Sequence, residues 1–340
     1  MKALVKTALG QDTLKLMDVP KPACGPDDIV VKIYACGICA SDLHIENFLI
    51  HPPFVLGHEF SGTVCEIGAN VADFKCGDPV VSITAVQTCE ECEYCRQGLR
   101  MHCCGDRKNI GTGRDGGFAE YMVIPAKQAF HIPDGVFLDA AALCEPLACV
   151  VRGVIERTTV RAGDYVLVAG AGIIGQLTAL VARMSGGIVF MTGMKSDVKR
   201  LAKALELGCT AVFAVDEMDA VAEIMRLTGG MGVDCAFECA GAAPSADLCL
   251  HALKKMGSFT QIGLYTKPIL FDMDLAVKKE ISISNSIASE RSSWLTALRL
   301  LQHHMIDTAP LVGEPLPLTE WEEAWRRMIA HEDFKILLRP

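Results

Sequence analysis

Excess positive charge, a long unbroken apolar run, internal repetition and low-complexity sequence are all missing from this chain of 340 residues. With 32 Lys and Arg against 41 Asp and Glu, its formal net charge is −9. That balance disfavours nucleic acid or an anionic membrane surface as partner. The most apolar long stretch, 166–191, is interrupted by glycines, Gln176 and Arg183, so it reads as buried core and not as a membrane span. The first residues carry Lys2 and Lys6 and no apolar h-region, so no secretory signal and a cytoplasmic location are expected. Charged residues are 21% and apolar residues 51%, a composition that supports a large core and excludes a disordered chain. The length suggests two domains.

Cysteine, by contrast, is abundant: sixteen residues. In a chain without a secretory signal these are expected as thiols, most of them small core hydrophobes. Only those at metal-ligand spacing require a chemical account.

Two patterns divide the chain. Up to about residue 147, short alternating runs at 3–6, 29–34, 62–67, 79–83 and 119–124 are punctuated by Pro and Gly and read as β-rich structure with long loops. From there strands at 165–169, 188–192, 211–214, 233–237, 258–262 and 281–284 alternate with helical patterns, among them 198–207 and 244–255. Six strands with short crossovers predict a doubly wound parallel sheet, hence an α/β fold. Beyond it, 294–303 and 320–330 read as helices, 310–317 as a loop and 334–338 as a strand. The expected division is 1–147, 148–288 and 289–340.

The centre of the second pattern is VLVAGAGIIG, residues 166–175. Gly170 makes the tight turn, Gly172 lets backbone approach a pyrophosphate, and Gly175 lets helix pack on strand, with Ile174 inside the motif. The helix N-terminus then faces the phosphates with its positive dipole end. This is a dinucleotide-binding fingerprint.

Two sets of metal-type residues lie upstream. Cys89, Cys92, Cys95 and Cys103 occupy one compact loop and can close a tetrahedral zinc site with no open position, a structural site. A [4Fe–4S] cluster is the rival, usually with different spacing, and Cys104 is second choice to Cys103. The looser set is Cys39, His58, Glu59 and Glu145, a mixed S/N/O group from separate segments that suits a catalytic zinc.

Taken together, Gly37-Ile-Cys39-Ala-Ser41-Asp42-Leu-His44, Gly57-His58-Glu59, the four-cysteine loop, Glu145-Pro146-Leu147 and the glycine motif resemble the zinc-dependent medium-chain dehydrogenases. They stand in that family's order over essentially the whole chain. Glu145, where classical alcohol dehydrogenases carry cysteine, makes the chain look closest to the polyol (sorbitol) and threonine dehydrogenase branch. The resemblance implies a GroES-like catalytic domain, a Rossmann cofactor domain and a C-terminal segment returning to the catalytic domain. It also implies two zinc ions per chain. Cys39 and His58 would hold the catalytic one, which favours the alkoxide of a bound alcohol near neutral pH. Glu59 and Glu145 compete for the remaining place, with Glu59 favoured as the direct ligand. Cys144 is set aside because neighbours on an extended segment face opposite ways. Ser41 would pass the substrate proton toward His44, and Asp42 would orient His58.

The cofactor is expected to be NAD or NADP. The acid that usually ends the second strand and accepts from a ribose hydroxyl is absent. Lys195 stands near its place, with Lys199 and Arg200 as further acceptors of a 2′-phosphate and Asp197 as a displaced ribose acceptor. Ile262, Gly263 and Leu264 are expected at the sheet's carboxyl edge beside the nicotinamide, a placement that draws partly on the resemblance. The expected activity is hydride transfer between a secondary alcohol (a polyol, sugar alcohol or related hydroxy compound) and NAD(P). The alternatives are an NADPH-dependent ketone or aldehyde reductase and a catalytically silent nucleotide-binding protein with structural zinc alone. Specificity is expected around Phe48 and Phe118. The resemblance further implies a homodimer or homotetramer joined through the edge strand 281–284.

Overall fold

The computed structural model describes residues 1–45 and 51–340, so Phe48 lies outside the described residues. The chain forms two compact units, one of residues 1–145 with 289–340 and the other of residues 146–288.

The first unit is built on a mixed, mainly antiparallel sheet. Its strands run in the order Ala129–His131, Pro79–Ser82, Glu59–Ile67, Asp28–Gly37, Leu337–Arg339 and Leu316–Pro317, and Tyr121–Pro125 also pairs with Asp28–Gly37. Along Asp28–Gly37 the residues Val31, Ile33 and Ala35 are buried while Lys32 and Tyr34 are exposed, the period-two alternation of a strand with one face on a core. That core gathers Leu4, Ile29, Val31, Phe60, Phe118 and Ile336. The C-terminal strand pairs antiparallel with Cys36 and Gly37, so the chain's end lies beside the segment that leads into Cys39. Here the sequence expectation needs adjusting. The strand spans Leu337–Arg339, and the segment expected as loop at 310–317 contains a short 3₁₀ turn, Ala309–Leu311, and the strand Leu316–Pro317.

The second unit carries six parallel strands in the order Ala211–Ala214, Ile188–Gly193, Tyr165–Ala169, Val233–Glu238, Leu253–Gln261 and Ser282–Asn285. The order reverses between Tyr165–Ala169 and Val233–Glu238, and the crevice beyond the carboxyl ends of those strands is where open α/β sheets bind ligands. The helix expected over 244–255 ends at Ala252, and Leu253 begins the fifth strand by pairing with Val233. Lys254 and Lys255 favour helix locally, but the strand Leu253–Gln261, which lies between Val233–Glu238 and Ser282–Asn285, takes them. Among the described residues no helix is long and apolar enough to cross a membrane.

Candidate functional site

In the Cys39 region, backbone hydrogen bonds do the positioning. Cys39 precedes a single helical turn, Ala40–Leu43, and its amide donates to Asp42 Oδ2 at 2.9 Å while the Asp42 amide donates to the Cys39 carbonyl. Asp42 is buried, and its other carboxylate oxygen lies 3.6 Å from His58 Nδ1. That contact orients the imidazole and leaves Nε2 as the donor nitrogen. Burial alone would push His58 down, but Asp42 and Cys39 outweigh it and hold the ring well above its ordinary value. A site arranged this way favours positive charge. Ligand atoms of Cys39, His58 and Glu59 lie within 4.8 Å of one another, a donor set that fits a zinc ion with an open position.

Glu145 is not part of that gathering, and the local geometry differs from the expectation. The segment is not extended: Cys144 and Glu145 open a helix, Cys144–Val151. Successive side chains therefore diverge by about 100° and not 180°, so the argument that one residue of the pair must face away does not apply. Cys144 is fully buried and its thiol is pushed well up by that burial.

Sequence reasoning missed Lys335. Its ammonium donates to both oxygens of Glu59, at 2.9 and 2.6 Å, and to the carbonyl of Ile38 at 2.7 Å. Both side chains of the pair are 1% exposed. Burial would lower the lysine, yet Glu59 and Cys39 outweigh it and it remains an ammonium. Gly37 makes room for the pair, because a Cβ there would stand 2.5 Å from Glu59 Oε2. No spacing rule links residue 59 to residue 335; only pairing of the last strand with residues 36–37 brings them together.

Ser41 and His44 lie three residues apart on this one turn, which sets them on one face. Ser41 is half-buried and His44 exposed.

The four-cysteine loop closes on itself. The amides of Cys92 and Cys95 donate to the sulfurs of Cys89 and Cys92 at 3.4 and 3.5 Å, and the Cys89 amide donates to Cys103 Sγ at 3.3 Å. Such bonds favour thiolate, and amides of Cys104 and Cys95 bring Cys92 down to about 6. The sulfur of Cys89 lies 3.9 Å from that of Cys95 and 3.5 Å from that of Cys103. A tetrahedron with Zn–S of about 2.3 Å has edges of about 3.8 Å. The spacing fits one zinc ion and is too tight for a cubane. Gly105 is required here: a Cβ would meet Cys89 Cβ at 2.7 Å.

At the glycine motif each residue has a distinct reason. Gly170 takes φ +112°, open to glycine, and a Cβ there would press on the Ala240 amide at 2.8 Å. Gly172 precedes the helix Ile173–Met184 and has no atom within 4 Å of its missing Cβ, leaving space for a ligand. A Cβ on Gly175 would overlap the carbonyl oxygen of Gly170. Ile174 is half-buried, and the helix's first turn carries no acid, as an anion site requires.

At the second strand's end, Lys195 is exposed and pairs with Glu217 at 2.6 Å, while its amide donates to Asp216. Asp197 accepts from the Met194 amide and lies 3.6 Å from Arg200, so it closes its own turn. Ile262 and Gly263 both donate to the Glu238 carbonyl at 2.9 Å, which curls the chain at the sheet's carboxyl edge and leaves Leu264 exposed.

Comparison with known proteins agrees with this geometry. Residues 25–134 match the family described as alcohol dehydrogenase GroES-like domain, and residues 174–303 the family described as zinc-binding dehydrogenase. A sorbitol dehydrogenase of Halalkalibacterium halodurans is 37% identical, the match covering 100% of this chain and 99% of the relative. A D-arabitol-phosphate dehydrogenase of Enterococcus avium is 33% identical over 99% and 97% of the two chains. Among solved structures, a protein of Sinorhizobium meliloti assigned as a zinc-binding dehydrogenase and bound to NADP superposes with a TM-score of 0.93 at 31% identity, over 100% and 99%. With the two metal-type donor sets, the dinucleotide turn and relatives matched end to end, the chain belongs to the zinc-dependent medium-chain dehydrogenases, oxidoreductases that use zinc and NAD(P), as its sequence resemblance implies.

Proposed function

We propose that the protein reversibly oxidises a secondary alcohol of a polyol or polyol phosphate with NAD(P). The observation that carries this reading is the open donor set Cys39, His58 and Glu59, set against a closed four-cysteine set in the same unit. The sorbitol and arabitol-phosphate dehydrogenase relatives support the substrate class.

When bound, zinc supplies Lewis acidity at the substrate hydroxyl and the nicotinamide accepts the hydride. The chain's own residues manage the rest. Asp42 holds the His58 ring in register, and Lys335 holds the Glu59 carboxylate. The Ser41 hydroxyl takes the substrate proton and hands it to His44, whose exposed ring exchanges with solvent. Gly170, Gly172 and Gly175, with the amide-rich start of helix Ile173–Met184, seat the pyrophosphate. Ile174, Arg200, Ile262, Gly263 and Leu264 complete the coenzyme groove along the sheet's carboxyl edge, with Lys195 at its adenosine end. Glu145 serves as an alternate acid for the metal.

Assembly as a homodimer or homotetramer through the edge strand Ser282–Asn285 belongs to the same proposal. Ile283 on that strand and Met273 and Val277 on the helix before it are exposed apolar residues. A cytoplasmic location is proposed with it, in keeping with sixteen free thiols.

The test is metal analysis of the purified protein beside an activity screen of polyols, polyol phosphates and aldoses with NAD and NADP. Two zinc per chain and turnover on a polyol are expected. One zinc per chain with no turnover would sink the proposal and favour a silent nucleotide binder.

A further inference from the structure

The four-cysteine loop is gripped from a distant part of the chain. Its fourth thiol, Cys103, follows a 3₁₀ turn, Arg100–His102, and the two leading amides of that turn donate to one buried carboxylate. Arg100 N–H reaches Glu290 Oε2 at 3.0 Å and Met101 N–H reaches Oε1 at 3.2 Å, across 190 residues of sequence. Glu290 is 3% exposed. It is also the residue before helix Arg291–Gln302, where its carboxylate accepts from the Ser293 amide and its own amide donates to Ser293 Oγ at 3.3 Å. One anion thus caps a twelve-residue helix and the turn that delivers a cysteine. On the other side, the Arg100 guanidinium is held by Glu90, the residue after Cys89, at 2.9 and 3.3 Å. Arg100 is therefore fixed by its backbone through Glu290 and by its side chain through the loop itself.

The neighbourhood of Glu290 is stiff. Trp294 Nε1 donates to Ser289 Oγ at 2.9 Å, and the Trp294 ring stacks on Phe130 with centroids 5.7 Å apart. Arg291 covers the same Phe130 ring and donates to the Lys127 carbonyl. Lys127 in turn reaches Glu90. A displacement of the 289–294 segment therefore moves the turn before Cys103 along two routes, through Glu290 and through Lys127 with Glu90.

We propose that Glu290 is a positioning residue for the four-cysteine metal site, linking metal occupancy of the loop to the order of segment 289–302. The inference rests on the reading that these cysteines hold zinc. Free amides at residues 100 and 101 let the turn relax, and Cys103 loses its fixed approach to the other three sulfurs. Linkage makes the coupling reciprocal: metal in the loop orders the helix start, and loss of metal loosens it.

The experiment uses the full-length, zinc-loaded protein. Zinc release to a chromogenic chelator is timed, and the released ion is assigned by alkylation and mass spectrometry of Cys89, Cys92, Cys95 and Cys103. Glu290→Ala is expected to release the loop zinc about tenfold faster than the parent, since charge-assisted bonds to two amides are lost. Release from the Cys39 site stays unchanged. Glu290→Gln, which keeps an acceptor oxygen and loses the charge, should fall between the two. Ser293→Ala loosens the helix cap but leaves both carboxylate bonds to the turn in place, so it should release zinc faster than the parent and more slowly than Glu290→Ala. Equal rates for Glu290→Ala and parent, or equal acceleration by Ser293→Ala, would overturn the proposal. If Glu290→Ala does not fold, hydrogen exchange on the parent decides. Stripping the loop zinc should speed exchange in 289–302, and unchanged exchange there rejects the link. The underlying reading fails separately, if Cys92→Ser retains the parent's full zinc content.

Discussion

Ser41 and Lys335 carry the sharpest expectations at the scale of single residues. Ser41→Ala removes the hydroxyl proposed to accept the substrate proton, so turnover should fall about a hundredfold or more while the dissociation constant for the coenzyme stays put. Steady-state kinetics with a fluorescence titration of NAD(P)H reads both, and unchanged turnover would remove Ser41 from the proton path. Lys335→Met leaves the Glu59 carboxylate buried without its ammonium, which is expected to destabilise the first unit by about 3–5 kcal/mol. Adding Glu59→Gln should recover much of that loss in denaturant unfolding, because the uncompensated charge is then gone. If the double variant is no more stable than the single, the pair does not act as the geometry suggests.

At the scale of elements, the motif helix Ile173–Met184 depends on how closely it approaches its strand. A Cβ on Gly175 would overlap the Gly170 carbonyl, so Gly175→Ala has to push helix from strand. Coenzyme affinity should then drop at least tenfold while zinc content holds, since both metal-type clusters lie in the other unit. Equilibrium binding with zinc analysis checks this, and parent-like affinity would mean the third glycine is not needed for close packing. The four-cysteine loop is an element of a different kind. It has no sizeable core of its own, and its shape follows from sulfur-accepted amide bonds and the grip of Glu290.

For the molecule as a whole, the sixteen thiols give a map of burial. Burial pushes Cys235 and Cys239 up to about 12 and Cys209 up to about 11, so at pH 8 almost none of each is thiolate. Cys76 is exposed. Alkylation of the folded zinc-loaded protein at pH 8 should label Cys76 early and leave the buried Cys209 and Cys235 untouched until unfolding. Mass spectrometry of timed digests reads the order, and early labelling of Cys235 would contradict the fold of the second unit.

The sequence by itself determined what depends on short-range geometry. The Gly170, Gly172 and Gly175 turn, the CxxCxxC spacing and the Gly57-His58-Glu59 run are each dictated within a few residues, because a turn or a knuckle is closed by its own backbone. The alternation of strand and helix after residue 160 was legible for the same reason, since periodicity is local. Tertiary structure decided the rest. Glu59 meets Lys335 and Arg100 meets Glu290 because the C-terminal segment folds back onto the first unit, across 276 and 190 residues. The fifth strand starts at Leu253 because Val233 offers it a partner, against the helical preference of its lysines. Glu145 sits on a helix and not on a strand, which no ligand spacing reveals. Spacing along a chain fixes contacts within a turn. Contacts between distant segments depend on which strand edges and buried charges the completed fold brings together.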